Sequence, residues 1–242
     1  MDLQGYRELR HKISEQAPTF RELCPTCLQP KFGCYCKHIR RFYPKIDFVI
    51  LIHPIEVRRR IATGRMAYLI LENSKLIPGQ DYSQNDEVNR LIEDSERHCV
   101  ILYPGMHSKN LSLLSQDDRL SLFPSSKTLT LFVIDGTWAT ARRTMHQSEN
   151  LKVLPKICFS PQRPSTFRVR KQPNPICYST IEAIHHTIEL MGESQGFDTN
   201  KRAQDNLLEV FDKMVELQLE FIKISESKPG ALRYRRNEKR IA

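Results

Sequence analysis

Three apolar runs, each leading into residues suited to chemistry, constrain this chain more than any other feature. They lie within IDFVILI (46–52), CVILYPG (99–105) and TLTLFVI (128–134). Near-continuous apolar runs of this kind fit strands covered on both faces, as in a parallel sheet. Helical patterns separate them: TGRMAYLILENS (63–74), DEVNRLIEDSERH (86–98) with Val88, Leu91 and Ile92 on one face, and a segment from Thr137 onward. KICFS (156–160) reads as a fourth strand. STIEAIHHTIELMG (179–192) reads as a helix capped by Ser179 or Thr180, with Glu182 in its first turn and Gly192 closing it. A long amphipathic helix follows over 201–225. Strand alternating with helix predicts an α/β domain: a mostly parallel sheet with flanking helices.

In such sheets ligands bind beyond the carboxyl ends of the strands. His53 follows the first run, the turn Tyr103-Pro104-Gly105 ends the second, and Asp135 ends the third. Those three strand ends are the expected site. Asp135 fits two roles by residue type: a general base, or the cap of the helix that starts near Thr137. Trp138, the single tryptophan of the chain, suits a core position as well as a stacking surface for a base or an adenine. His53 and Glu56 suit either positioning of a ribose or ordering of a turn.

CPTCLQPKFGCYC (24–36) places Cys24, Cys27, Cys34 and Cys36 at spacings that can turn four thiolates onto one tetrahedral ion. In a chain expected to be cytoplasmic, a metal fits better than two disulfides. Zinc is the expected ion, and a structural one, because four cysteines leave no open position for a substrate. Cys99, Cys158 and Cys177 lie in or beside apolar segments, where core packing is the ordinary role.

The net charge is +9 and the pI about 9.3. That balance fits a polyanionic partner and equally a merely basic soluble protein. The distribution says more. Residues 161–175 hold four basic residues and no acid, and 228–242 hold six against Glu238 alone. Arg58, Arg59, Arg60 and Arg65 form a third cluster, with Arg142 and Arg143 a fourth. No Gly-x-Gly-x-x-Gly, phosphate-binding P-loop or His-Glu-x-x-His occurs, which disfavours dinucleotide oxidoreductases, nucleotide triphosphatases and zinc hydrolases of those kinds. No apolar run approaches the roughly 18–20 residues of a membrane span. The polar N-terminus lacks the hydrophobic stretch of a signal peptide, so a cytoplasmic location is expected. The expected organisation is a cysteine-bearing segment (1–44), a catalytic domain (45–226) and a basic tail (227–242).

DGTW (135–138) resembles the D-x-T-W signature of the DTW-domain family of tRNA-uridine aminocarboxypropyltransferases. Other motifs follow in the family's order. The four-cysteine knuckle stands upstream. HPIE (53–56) with TGR (63–65) resembles the first motif, LYPG (102–105) the second, and STFRVRK (165–171) and STIEA (179–183) the two after D-x-T-W. Three positions depart from the common pattern: Ala62 where asparagine is frequent, Gly105 where serine is, and Phe167 where tyrosine is.

The resemblance implies a SPOUT-like α/β fold with a knotted C-terminal half that binds S-adenosylmethionine. It implies transfer of the 3-amino-3-carboxypropyl group to N3 of a tRNA uridine, with release of methylthioadenosine. Asp135 is then the expected base, since the N3–H of uridine is a weakly acidic imide. Leu102, Tyr103, Pro104, Gly105, Thr137, Trp138, Ser179, Thr180 and Glu182 are the expected surroundings of the donor. Thr63, Gly64 and Arg65 complete the first motif with His53 and Glu56. Arg58, Arg59, Arg168, Arg170 and Lys171 are candidates for phosphate contacts, and a monomer suffices for such a site. Two other readings compete: an S-adenosylmethionine-dependent RNA methyltransferase, and a non-catalytic zinc-containing RNA-binding protein. Analysis of the products separates all three.

Overall fold

The computed structural model describes residues 22–124, 126–170, 172 and 174–227. Lys171 and the basic tail beyond 227 lie outside these. Among the described residues the strands are β1 (Asp47–Ile52), β2 (Lys75–Pro78), β3 (Arg97–Leu102), β4 (Lys109–Asn110), β5 (Thr128–Asp135) and β6 (Lys156–Cys158). The α-helices are α1 (Pro54–Val57), α2 (Thr63–Ile70), α3 (Asp86–Glu93), α4 (Gln116–Leu120), α5 (Trp138–Gln147), α6 (Glu149–Lys152), α7 (Thr180–Met191) and α8 (Asp205–Glu226). The strands form one sheet in the order β2-β1-β5-β3-β6-β4. Every pairing in it is parallel.

The apolar runs are continuous because both faces are covered. Successive side chains of a strand point to opposite faces. Phe48 and Ile50 of β1 join Leu129, Leu131 and Val133 of β5 in a core under α2, α7 and α8. Val49, Leu51, Phe132 and Ile101 join Val88, Leu91, Met145 and Leu151 from α3, α5 and α6 on the other side. Each fully buried Ile, Leu or Phe contributes about 1.5–3 kcal/mol. The expected α/β architecture is the one observed.

Cys27, Tyr35 and Phe42 belong to the first of these cores, so the cysteine-bearing segment packs directly on the sheet domain. Phe32 meets Phe221 of α8 edge to face at 4.9 Å, and Gln29 Nε2 donates to the Arg60 carbonyl at 2.6 Å. At the opposite end of α7, Arg202 bridges Glu189 and Asp205, and His185 Nε2 lies 3.1 Å from Asp205 Oδ1. That group ties α7 to α8 as an ion network.

Several elements differ from expectation. The helix from Thr63 ends at Ile70, because Leu71 turns extended and bridges Phe42. The helix from Asp86 ends at Glu93, since Arg97 already belongs to β3. The long helix begins at Asp205; Arg202 adopts a left-handed conformation (φ 55°) that no helix continues through. Strands β2 and β4 have no counterpart among the expected elements. Among the described residues no helix is long and apolar enough to cross a membrane.

Candidate active site

Register brings three strand ends together. Ile52 is opposite Asp135, and Leu102 is opposite Val133, so β1, β5 and β3 finish side by side. The His53 amide extends the ladder by donating to the Asp135 carbonyl at 3.0 Å. His53 itself caps α1: Nδ1 accepts from the Ile55 amide at 3.3 Å, which leaves Nε2 to pair with Gln80 Oε1 at 3.2 Å.

Asp135 is buried, and it does not cap α5. Thr137 does, accepting from the Thr140 amide at 3.2 Å. Asp135 Oδ1 accepts from the Thr180 hydroxyl at 2.5 Å, whereas Oδ2 has no hydrogen-bond partner of ordinary geometry among the described residues. Burial pushes the Asp135 carboxyl above the ordinary carboxylate range, with the Thr180 hydrogen bond opposing and the nearby Glu56 charge reinforcing the shift. The Arg170 charge and the nearby amide of Gly64 pull it down. Ala62 stands at the N-cap of α2 and supplies no side-chain acceptor. The Gly64 amide, in the first turn of α2, therefore faces the Asp135 carboxyl without a capping side chain between them, which favours the anion.

Beyond these strand ends opens a cavity of about 450 Å³, within the roughly 300–1,000 Å³ of small-molecule sites. Leu102, Tyr103, Pro104, Thr137, Trp138, Arg170, Ser179 and Thr180 line it, all of them singled out from sequence. Trp138 is 41% exposed at the first turn of α5, so it is wall rather than core. Gly136 and Thr180 line the cavity directly in front of Asp135. The walls are mostly apolar, and Arg170 is the one charged side chain among the described lining residues.

Other expected site residues stand apart from the cavity. Glu182 does not line it; its carboxylate accepts from Ser165 Oγ (2.7 Å), the Thr166 amide (2.8 Å), and the Ser179 amide and hydroxyl (2.8 and 2.6 Å). It clamps the 165–170 segment to the start of α7. Arg65 is buried and donates to the Arg59 carbonyl at 3.1 Å and to the Val57 carbonyl. Glu56, also buried, accepts from Arg59 at 2.8 Å and Arg170 at 3.3 Å. Thr63 and Gly64 open α2, and Gly64 abuts Asp135. Gly105 lies outside the lining. Arg58 and Arg168 are exposed.

Sequence reasoning missed much of the wall that flanks Arg170, namely Phe159, Gln172, Asn174, Ile176 and Tyr178. One signal was present. A stretch as long as 159–178 without helical or strand period inside a compact α/β chain is uncommon unless it serves a site.

Apart from the cavity, the Sγ atoms of Cys24, Cys27, Cys34 and Cys36 all lie within 4.8 Å of one another. Cys24–Cys36 and Cys27–Cys34 are each 3.7 Å apart. Tetrahedral zinc with Zn–S bonds of about 2.3 Å needs sulfurs about 3.8 Å apart. The four residues fit that ion. Backbone amides of Cys27 and Thr26 lower the Cys24 thiol to about 6, which favours the thiolate that a metal requires.

Residues 21–219 match the DTW domain. The tRNA-uridine aminocarboxypropyltransferase 2 of Drosophila melanogaster is 27% identical over 186 residues, which cover 74% of this chain and 70% of that relative. No solved structure matches the chain. Since the match spans most of its length and includes the knuckle, the strand-end site and the cavity wall, the chain belongs to the DTW-domain family.

Proposed function

We propose that this protein transfers the 3-amino-3-carboxypropyl group of S-adenosylmethionine to N3 of a uridine in tRNA. The Asp135–Thr180 pair at the inner wall of the cavity carries this reading. Asp135 is too buried to touch a substrate directly, but Thr180 lines the cavity and hydrogen-bonds to it. The Thr180 hydroxyl takes the N3 proton while passing its own to Asp135. The N3 anion attacks the methionine-chain carbon attached to sulfur. The N3–C bond forms, the C–S bond breaks, its electron pair neutralises the sulfonium, and methylthioadenosine leaves. A raised carboxyl pKa suits Asp135 to this role, because a stronger base draws the proton better.

The apolar cavity suits the adenosyl portion of the donor, with Trp138 as a stacking surface. Exposed Arg58 and Arg168 serve phosphate contacts, and the target uridine enters unpaired, because a base held in a duplex cannot reach the donor. The knuckle holds a structural zinc through its four cysteines and shapes the face on which α8 packs. A cytoplasmic monomer acting on tRNA fits all of these features.

Mass spectrometry of nucleosides from unmodified tRNA incubated with protein and S-adenosylmethionine tests the proposal. Wild type is expected to add an aminocarboxypropyl group to uridine, and Asp135→Asn to add it far more slowly. A methyl group on the RNA would overturn the chemistry. Salt-sensitive RNA binding with no product on any tRNA would overturn catalysis altogether.

A further inference from the structure

Arg170 differs from the other basic residues of its segment. Arg168 is exposed, whereas the Arg170 side chain is 20% exposed and lines the cavity. Its neighbours fix it there. Phe167 and Val169 are buried, Phe167 packs edge to face on Phe211 at 5.2 Å, and the Arg170 amide returns to the Phe167 carbonyl at 3.3 Å. The guanidinium then reaches Glu56 Oε1 at 3.3 Å. That long single contact engages one of five N–H donors. Glu56, whose side chain is 4% exposed, is itself held by Arg59 at 2.8 Å.

We infer that Arg170 recognises the carboxylate of the ligand bound in this cavity and that Glu56 positions its guanidinium to do so. This rests on the donor identity proposed above and names the group by which the site selects that donor. A second carboxylate brought near Asp135 meets like-charge repulsion unless a cation stands close by. Arg170 is the one charged side chain among the described lining residues, and its planar fork matches carboxylate geometry. A phosphate of the RNA is the other anion a guanidinium takes, but the placement of Arg170 within the cavity wall favours a ligand inside it. Arg170 thereby moves from the RNA-facing set to the donor pocket.

The test compares S-adenosylmethionine with its decarboxylated analogue by titration calorimetry, in the absence of tRNA. Wild type is expected to prefer the carboxylated compound by about 10- to 100-fold, as for a hydrogen-bonded charge pair. Arg170→Met is expected to bring the two within about threefold by losing affinity for the carboxylated compound. Arg170→Lys, which keeps the charge without the fork, is expected to fall between them. Glu56→Gln is expected to lose part of the preference at a melting temperature that shows the fold intact. Equal loss for both compounds in Arg170→Met would overturn the inference, as would a wild type that binds both alike. Unchanged donor binding with weakened tRNA binding would assign Arg170 to phosphate instead and also overturn it. A wild type that shows the preference yet yields no aminocarboxypropyl product would overturn the proposed reaction while upholding the role of Arg170.

Discussion

Gly64 and Asp135 are packed so closely that position 64 has room for a hydrogen and nothing larger. A Cβ there would lie 2.6 Å from both Cγ and Oδ2 of Asp135, closer than real Cβ atoms come. Gly64 is the second residue of α2, and in helices alanine is ordinarily better than glycine, by up to about 0.8–1 kcal/mol in the interior. Gly64→Ala should reverse that sign. Overpacking costs about 1–3 kcal/mol, so the variant is expected to melt lower than wild type. Because the displaced group is Asp135 itself, kcat is expected to fall by about 10²-fold. Chemical denaturation beside single-turnover kinetics checks both; a stabilised, active Gly64→Ala would refute the close packing.

Asp135→Asn is expected to slow transfer severely while leaving the fold as stable as wild type, or more so, at neutral pH. The sign follows from the direction of the shift. Burial raises the Asp135 carboxyl above its unfolded value, so the folded state binds the proton more tightly than the unfolded chain. Whatever stability that proton brings is complete below the unfolded pKa and lost as pH rises through the folded one. At neutral pH the buried carboxylate is therefore a cost that asparagine avoids. The activity loss expected from removing a general base is about 10²- to 10⁴-fold. Melting temperatures from pH 4 to 8 should show the wild type losing ground to Asp135→Asn as pH rises.

Thr180 separates the relay from a purely structural role for the pair. Its hydroxyl stabilises the ionised form of Asp135. Thr180→Val removes both the relay and that hydrogen bond, so its residual activity should be small and its acid limb displaced to higher pH. Thr180→Ser keeps the hydroxyl and should retain most of the activity. Equal activity of Ser and Val variants across the pH range would remove Thr180 from the proton path.

The legible parts of this molecule are those in which local chemistry and global packing agree. The runs now seen as β1, β3 and β5 announced doubly covered strands, and their residues do alternate between two cores. Their ends announced a site, and parallel register delivers His53, Asp135 and Tyr103 to adjacent positions. What stayed hidden depends on contacts distant in sequence. In β2, KLIP buries Ile77 alone and ends in proline, so no pattern marks it. The wall from Phe159 to Tyr178 has no period, because it takes its shape from the Glu182 clamp and from Phe167 on Phe211. Glycine at 64 reads as a weak helix residue until Asp135, 71 positions away, is placed against it.

Removal of the metal should loosen the whole sheet domain rather than a detached appendage. Cys27 and Tyr35 sit in the core that α8 covers, and Tyr35 is wholly buried. Purified protein is expected to carry about one zinc per chain by elemental mass spectrometry, as four thiolates at tetrahedral spacing imply. Cys27→Ser should lose that zinc and lower the melting temperature by several degrees, reflecting about 2 kcal/mol or more. Full zinc loss with an unchanged melting curve would mean that the knuckle contributes nothing to the fold.

Trp138 turns the cavity into its own reporter. It is the single tryptophan of the chain, it lines the cavity, and it is 41% exposed. An adenine stacked on it would remove water from the ring and alter its emission. Addition of S-adenosylmethionine is therefore expected to change the fluorescence saturably, by quenching or a blue shift. Trp138→Phe should abolish the signal yet keep most of the affinity, since a flat ring remains. Trp138→Ala should weaken binding by the roughly 1–3 kcal/mol that aromatic stacking supplies, about 5- to 150-fold. A donor that binds by calorimetry and leaves the emission untouched would place the adenine away from Trp138. The indole would then stand free to receive the uridine.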